Sequence, residues 1–303
     1  MQNNQKTGVY YDMPEEEYHA SDALSNSGMK TILHKSPRHY QYQYLEGNQK
    51  DTAALAFGRA LHCAVLEPEK FDAEYVIEPD VNMSTKAGAS EYLKWIAGIT
   101  GDLYFLDSTT KMDEIREQIG EMKQRLKLNI INASFAEMIA DICASIKAKR
   151  SAVSLLQMDG RNEVSFFCEY DGVMLRARMD RVLGAHVGID LKSCQDASPE
   201  GFERAAYNYG YHMQAYFYSW IYEQVTGEQM KDFVFICVEK EAPHCVGLYR
   251  ASPEMLELGK LDVEKAINIY KESQKRGIWF DYDDRIIPLG LPRYAENRLT
   301  YGE

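Results

Sequence analysis

The run Gly188-Ile189-Asp190-Leu191-Lys192-Ser193 sets a carboxylate and an ammonium two residues apart in an otherwise apolar segment. Side chains alternate along a β-strand, so Asp190 and Lys192 point to one face and Ile189 and Leu191 to the other. Charges in such a place are costly unless they are paired or bound to something. Ten residues earlier, Arg176-Ala177-Arg178-Met179-Asp180-Arg181 puts Asp180 near the end of the preceding strand. If the two strands are neighbours, Asp180 and Asp190 converge on one hard cation, and such oxygen donors suit Mg²⁺ or Mn²⁺, not zinc. Lys192 then stands where it can orient an attacking water or stabilise charge on a phosphoryl oxygen. The alternative is a salt-bridged pair at a strand end. His62 sits in the apolar run Gly58–Pro68, either as a ligand or as a satisfied core histidine. Gln214 and Tyr218 share a helix face at i, i+4, as do Tyr207 and Tyr211. Amphipathic packing accounts for Tyr216 and Tyr222.

The elements that must position these residues are readable from periodicity and punctuation. The opening is irregular and Tyr-rich. Ser25-Asn26-Ser27 offers caps for a short helix through Leu33, closed by Ser36-Pro37. A helix is predicted over Ala53–Val65, stopped by Glu67-Pro68. Met112, Ile115, Ile119, Met122 and Leu126 step by three and four, as do Phe135, Ile139, Ile142 and Ile146. These predict two amphipathic helices forming a layer on a sheet. Strands are predicted over Glu163–Tyr170 and Val173–Val182 around the Asp171-Gly172 hairpin turn, with a third over His186–Lys192. A long helix over Pro199–Val225, strands at Asp232–Val238 and Val246–Tyr249, and a helix from Ser252-Pro253-Glu254 to Lys275 complete the order. This is an α/β chain around a mixed sheet, with no repeat and no long linker.

The 303 residues carry 34 Lys+Arg and 46 Asp+Glu, a net charge of −12, with 45% apolar and 26% charged residues. Those fractions exclude a disordered or collagen-like chain. Ala53–Leu66 is too short and too charged to span a bilayer, and the first residues show no apolar signal region. Six cysteines without a CxxC pair read as reduced thiols of a cytoplasmic protein. The net charge taken alone argues against a nucleic-acid partner. Its distribution decides the matter, and the acidity can lie on outer faces such as Glu114, Glu117, Glu121 and Glu137. A basic groove on an otherwise acidic surface is the expectation.

The order His62, Asp180, Asp190-Leu191-Lys192, Gln214-x-x-x-Tyr218 resembles the RecB-like branch of the PD-(D/E)XK nuclease superfamily, and more narrowly the exonuclease VIII (RecE-type) nucleases. Tyr18-His19-Ala20-Ser21, Ser25-Asn26-Ser27, Ser36-Pro37-Arg38-His39-Tyr40, Gly58-x-x-x-His62 and Leu66-Glu67-Pro68 extend the likeness over nearly the whole chain. The resemblance implies a PD-(D/E)XK core, a mixed central sheet flanked by helices with a helical insertion. It implies one nuclease domain over 1–303: an N-terminal helical part with the His motif (1–82), a helical insertion (83–150), and the catalytic sheet with its flanking helices (151–303). His62, Asp180, Asp190 and the Leu191 carbonyl would hold Mg²⁺, with Mn²⁺ able to substitute. Lys192 would aid the attacking water, Gln214 would position DNA or support Lys192, and Tyr218 would support the site. The second acidic position, often Glu in the family, is Asp190 here. Only Cys237 and Cys245 follow the Gln-x-x-x-Tyr helix, so no iron–sulfur cluster is expected.

The implied activity is exonucleolytic degradation of duplex DNA ends, 5′→3′ and processive, leaving 3′ single-stranded tails for recombination. A homo-oligomeric ring (tetramer or trimer), a RecT-like single-strand annealing partner and a bacterial or phage-infected cytoplasm accompany it. A single-strand or structure-specific nuclease, or a non-catalytic DNA-binding protein of this fold, are the rivals. Ser27, Lys30, Lys35 and Arg38 are candidates for gripping a DNA end or its 5′-phosphate. Arg176 and Arg178 either meet phosphates or balance the acidic site. Lys147-Ala148-Lys149-Arg150 is a solvated patch or a DNA contact. Glu163 and Glu169 are read as solvent-facing, with an outer position around the cation as the alternative.

Overall fold

A computed structural model describes residues 5–291 and Glu296. The remaining residues of the expected 1–303 span, including the opening MQNN, lie outside the described residues. The chain opens with β1 (Gly8–Tyr10), α1 (Glu15–Ala20), β2 (Leu24–Ser25), α2 (Asn26–His34) and α3 (Pro37–Tyr40). Next come α4 (Ala53–Leu66), α5 (Pro68–Glu74), β3 (Tyr75–Ile77), α6 (Lys86–Thr100), α7 (Met112–Arg125), β4 (Asn129–Ile131), α8 (Ala133–Ala148) and α9 (Arg150–Gln157). Then follow β5 (Gly160–Tyr170), β6 (Val173–Leu183), β7 (Val187–Cys194), α10 (Pro199–Asn208), α11 (Tyr211–Thr226), β8 (Asp232–Glu239), β9 (Val246–Arg250) and α12 (Pro253–Arg276).

Local chemistry sets the boundaries. Ser25 Oγ accepts from the Gly28 N–H at 3.2 Å and Thr52 Oγ1 from the Leu55 N–H at 3.3 Å, capping α2 and α4. Asp171 and Gly172 have φ of 50° and 77°, the paired left-handed turn that matches strand twist between β5 and β6. The seven-stranded sheet runs β1-β5-β6-β7-β8-β9, with β2 pairing parallel to β6. The β5–β6, β6–β7 and β8–β9 pairs are antiparallel, and β7–β8 is parallel through the α10–α11 crossover. The fold is therefore α/β with a mixed central sheet between helices.

One face of the sheet buries Leu24, Phe166, Leu175 and Phe235 against Met29 of α2, Phe217 of α11 and Val263 of α12. The other buries Ile189, Leu191, Ile236 and Val238 against Phe57 and Leu61 of α4 and Ile139 and Ile142 of α8. At about 25 cal/mol per Å² of apolar surface removed from water, these two layers supply the main drive for folding. Helices α6 and α7 share a separate core of Tyr92, Leu93, Ile96, Ile115, Ile119 and Met122. Of the two periodic helices, α8 thus lies on the sheet while α7 packs on α6.

Two expectations change. The predicted helix over Pro199–Val225 is two, α10 and α11, because Gly210 adopts φ 66° and turns the chain between them. The opening is not wholly irregular: β1 pairs with β5 (Gly8↔Phe167) and β2 with β6 (Leu24↔Leu175). Strands of three and two residues are too short to show alternation. Among the described residues no helix is long and apolar enough to cross a membrane.

Candidate active site

The site forms where β7 parts from β6. Their ladder runs from Leu183↔Val187 to Arg181↔Ile189 and no further, while β7 stays paired with β8 to Cys194↔Glu239. The Leu191 N–H, released from β6 backbone, donates instead to Asp180 Oδ2 at 2.7 Å. Leu191 therefore reaches the site through its amide. Helix α4 lays His62 over the opening, with Nδ1 3.3 Å from the same Asp180 oxygen. Burial opposes the imidazolium, but the Asp180 carboxylate outweighs it and lifts the His62 pKa to about 9. Burial likewise opposes ionisation of Asp180, and His62 reverses it, so Asp180 lies below the usual carboxylate range.

Asp190 is fully buried. Its Oδ1 accepts from Gln214 Nε2 at 2.5 Å, and its Oδ2 pairs with Lys192 Nζ at 2.5 Å. Burial pushes Asp190 up to about 6 despite that ammonium. Burial depresses Lys192, but Asp190 and then Asp180 more than restore it, so its pKa is raised and it is a cation at neutral pH. Tyr218, one turn beyond Gln214 on α11, hydrogen-bonds Gln214, and its own pKa is pushed well up by burial. The Tyr211 ring lies 5.0 Å from Lys192 Nζ. The predicted His62, Asp180, Asp190, Lys192, Gln214 and Tyr218 thus come together, on α4, β6, β7 and α11.

Glu163 corrects the sequence reading. It is half-buried, not solvent-facing, and joins His62 and Asp180 in a group whose donor atoms all lie within 4.8 Å of one another. Asn162↔Arg181 and Val164↔Met179 are paired on either side, so Glu163 and Asp180 stand opposite one another across β5 and β6. Glu163 also has φ 50°, a left-handed conformation rare inside a strand. Burial, then the Asp180 charge, raises its pKa to about 7. Like charges opposed across a strand pair are destabilising. Two carboxylates and an imidazole converging this closely fit a hard divalent cation of the Mg²⁺ or Mn²⁺ class. Asp190 is not part of this close group, and its Oδ2, ion-paired with Lys192, accepts no hydrogen bond among the described residues. Glu169 is exposed, as expected.

The cationic candidates divide. Arg176 and Arg178 are turned inward: Arg176 Nη1 donates to the Tyr18 carbonyl and Arg178 Nη2 to the Met13 carbonyl at 2.6 Å. Both guanidiniums stack over Tyr18, 4.8 and 4.5 Å from its ring centre, and clamp the N-terminal segment to the sheet. Arg38 is exposed and paired with Glu46 at 2.7 Å, while Ser27 and Lys35 are exposed. Lys30 differs. Its Nζ donates to the Tyr209 carbonyl at 3.1 Å, and burial, followed by the nearby Lys192 charge, lowers its pKa to about 8.

These shifts give the cation-free protein a definite pH dependence. Glu163 and Asp190 stay protonated in the fold to about pH 7 and 6, whereas an unfolded chain releases those protons near pH 4. The unfolded state then binds fewer protons, so stability falls as pH rises through that window. His62 adds the same sign: its contribution is complete below about pH 6.5 and lost as pH rises through about 9. The chelated protein should melt at a progressively lower temperature from pH 5 to pH 9. Added Mn²⁺, competing with protons for the same donors, should raise Tm more at pH 8 than at pH 5. Calorimetric scans with and without Mn²⁺ check this, and an equal rise at both pH values contradicts it.

Comparison with known proteins bears on the family and the fold. The family described as "PDDEXK-like domain of unknown function" (DUF3799) matches residues 25–284. A solved structure of a candidate exonuclease from Eubacterium rectale superposes with TM-score 0.57 at 16% identity, covering 97% of this chain and 100% of that one. At that identity the likeness shows the fold alone. A second solved structure, that of SSO0001, gives TM-score 0.28 at 12% identity over 75% of this chain and 88% of that one, too low to bear on the fold. No curated protein matches the sequence.

Proposed function

Because the chain belongs to the PDDEXK-like family DUF3799, we propose that it is a metal-dependent exodeoxyribonuclease that hydrolyses phosphodiester bonds from duplex DNA ends. The supporting observation is the convergence of His62, Glu163 and Asp180 beside the Asp190–Lys192 pair. His62, Asp180 and Glu163 would hold Mg²⁺, with Mn²⁺ as substitute, joined by Asp190 and the Leu191 carbonyl as the resemblance implies. A divalent cation held there supplies Lewis acidity toward water and neutralises charge on the phosphate.

The chain's own groups do the rest. Lys192 is an ammonium, so it acts on charge: it steadies an attacking water and the phosphate oxygens and does not accept a proton. Gln214 and Tyr218 hold Asp190, and through it Lys192, in place. Lys30, beside Tyr211 and Lys192, is the N-terminal cation best placed to meet the strand. The resemblance to exonuclease VIII-type nucleases carries the finer parts of the proposal: one nuclease domain, 5′→3′ processive action leaving 3′ tails, a homo-oligomeric ring, an annealing recombinase as partner, and a cytoplasmic setting.

Three substrates with Mg²⁺ test the reading: end-labelled linear duplex, single strand, and covalently closed circle. Linear duplex should lose its 5′ label as mononucleotides while circles persist. Cleavage of circles or preference for single strands favours the rival nucleases, and intact DNA in every case defeats the enzymatic reading.

A further inference from the structure

The corner between α10 and α11 places three tyrosines in five residues, Tyr207-Asn208-Tyr209-Gly210-Tyr211, the last of them against Lys192. Tyr211 is half-buried, with Lys192 Nζ 5.0 Å and Lys30 Nζ 6.0 Å from its ring centre. The Tyr209 ring adjoins it, centroids 5.9 Å apart and planes inclined at 32°. Tyr209 is nevertheless 62% exposed, and no hydrogen bond to its hydroxyl occurs among the described residues. An open aromatic ring therefore stands one ring away from the ammonium of Lys192. Tyr207 differs, because its ring is already stacked on His212 at 5.7 Å and 19°.

The backbone beneath Tyr209 is held from both sides. Its N–H donates to the Ala205 carbonyl at 2.9 Å, and its own carbonyl accepts from Lys30 Nζ at 3.1 Å. The left-handed Gly210 then starts α11, which carries Gln214 to Asp190. Lys30 thus ties the ring's position to the same helix–strand junction that organises the acidic site. An exposed ring resting against Tyr211, on a backbone held at two points, offers a face to an external flat partner.

Resting on the nuclease reading, we propose that Tyr209 is a stacking platform for an unpaired nucleobase next to the scissile phosphodiester. Every base has a π-face, so the platform is sequence-neutral. A paired base within a duplex has both faces covered by its neighbours, so the terminal pair must open before the platform engages it.

The test uses full-length protein and a duplex carrying 2-aminopurine at its terminal nucleotide, with Ca²⁺ replacing Mg²⁺ to slow cleavage. Fluorescence reports stacking, and separate assays with Mg²⁺ give kcat and KM. Wild type should quench the probe. Tyr209→Ala and Tyr209→Leu should lose the quenching and raise KM about tenfold with kcat unchanged. Tyr209→Phe and Tyr209→Trp should retain both. Quenching by Tyr209→Ala equal to wild type overturns the platform, as does a Tyr209→Phe variant as impaired as Tyr209→Ala. In either of those cases wild-type degradation persists and the nuclease reading stands. A wild-type protein that neither binds nor degrades DNA removes both.

Discussion

Lys192→Met should still bind duplex DNA but cleave it about a thousandfold more slowly, the scale of losing one preorganised charge at a phosphoryl centre. The expectation follows from Lys192 Nζ lying 2.5 Å from Asp190 Oδ2 with a side chain only 17% exposed, a cation kept charged by two carboxylates. Removing one partner of a buried pair costs about 3–5 kcal/mol. Here the loss should be softened, because Asp190 already tends toward protonation and can take a proton in place of the lysine. Lys192→Arg keeps the charge and separates folding from chemistry: it should melt near wild type and still lose most of its rate. Single-turnover cleavage and thermal melting of both variants decide the matter. If Lys192→Met cleaves within tenfold of wild type, the centre lies elsewhere.

Asp180→Ala should lose Mn²⁺ affinity by more than about a hundredfold, the upper end of what even an outer partner of a metal site costs. Asp180 meets both His62 and the Leu191 N–H, so its loss also disconnects α4 from β7. Glu163→Gln is the more discriminating change. At pH 8, where Glu163 is ionised, it relieves the opposition between Glu163 and Asp180 and should raise the Tm of the chelated protein, while weakening Mn²⁺ binding about tenfold. Stability and binding thus move in opposite directions, as a ligand requires and a structural residue does not. Titration calorimetry with Mn²⁺ and melting in chelator check both arms. A Glu163→Gln variant with full Mn²⁺ affinity excludes Glu163 from the ligand set.

Much of the site was legible because its residues sit on strongly patterned elements. The apolar run around Asp190 and Lys192 marked a buried strand, and the Gln214–Tyr218 spacing marked one helix face. Glu163 was read as solvent-facing, with a place around the cation only as the alternative, although a stronger signal existed. The Asp171-Gly172 turn pairs Tyr170 with Val173, and counting back equally from the turn puts Glu163 opposite Asp180. Alternation alone could not reveal its exposure, since its left-handed φ breaks the regular strand conformation. Arg176 and Arg178 misled for another reason: their partners are backbone carbonyls of Tyr18 and Met13, and a sequence does not advertise carbonyls. The break at Gly210 was hidden because helical periodicity continues on both sides of it, though glycine there was a visible cue.

The separate apolar core of α6 and α7 has a consequence for how the molecule comes apart. Tyr92, Ile96, Ile115 and Met122 belong to a cluster that includes no residue of β5–β9, so their burial mainly rewards the order of that lobe. Backbone amides in α6 and α7 can then exchange with solvent through partial openings that leave β5–β9 protected. Two loci of cooperativity are expected among the described residues, the smaller loosening while the larger stays intact.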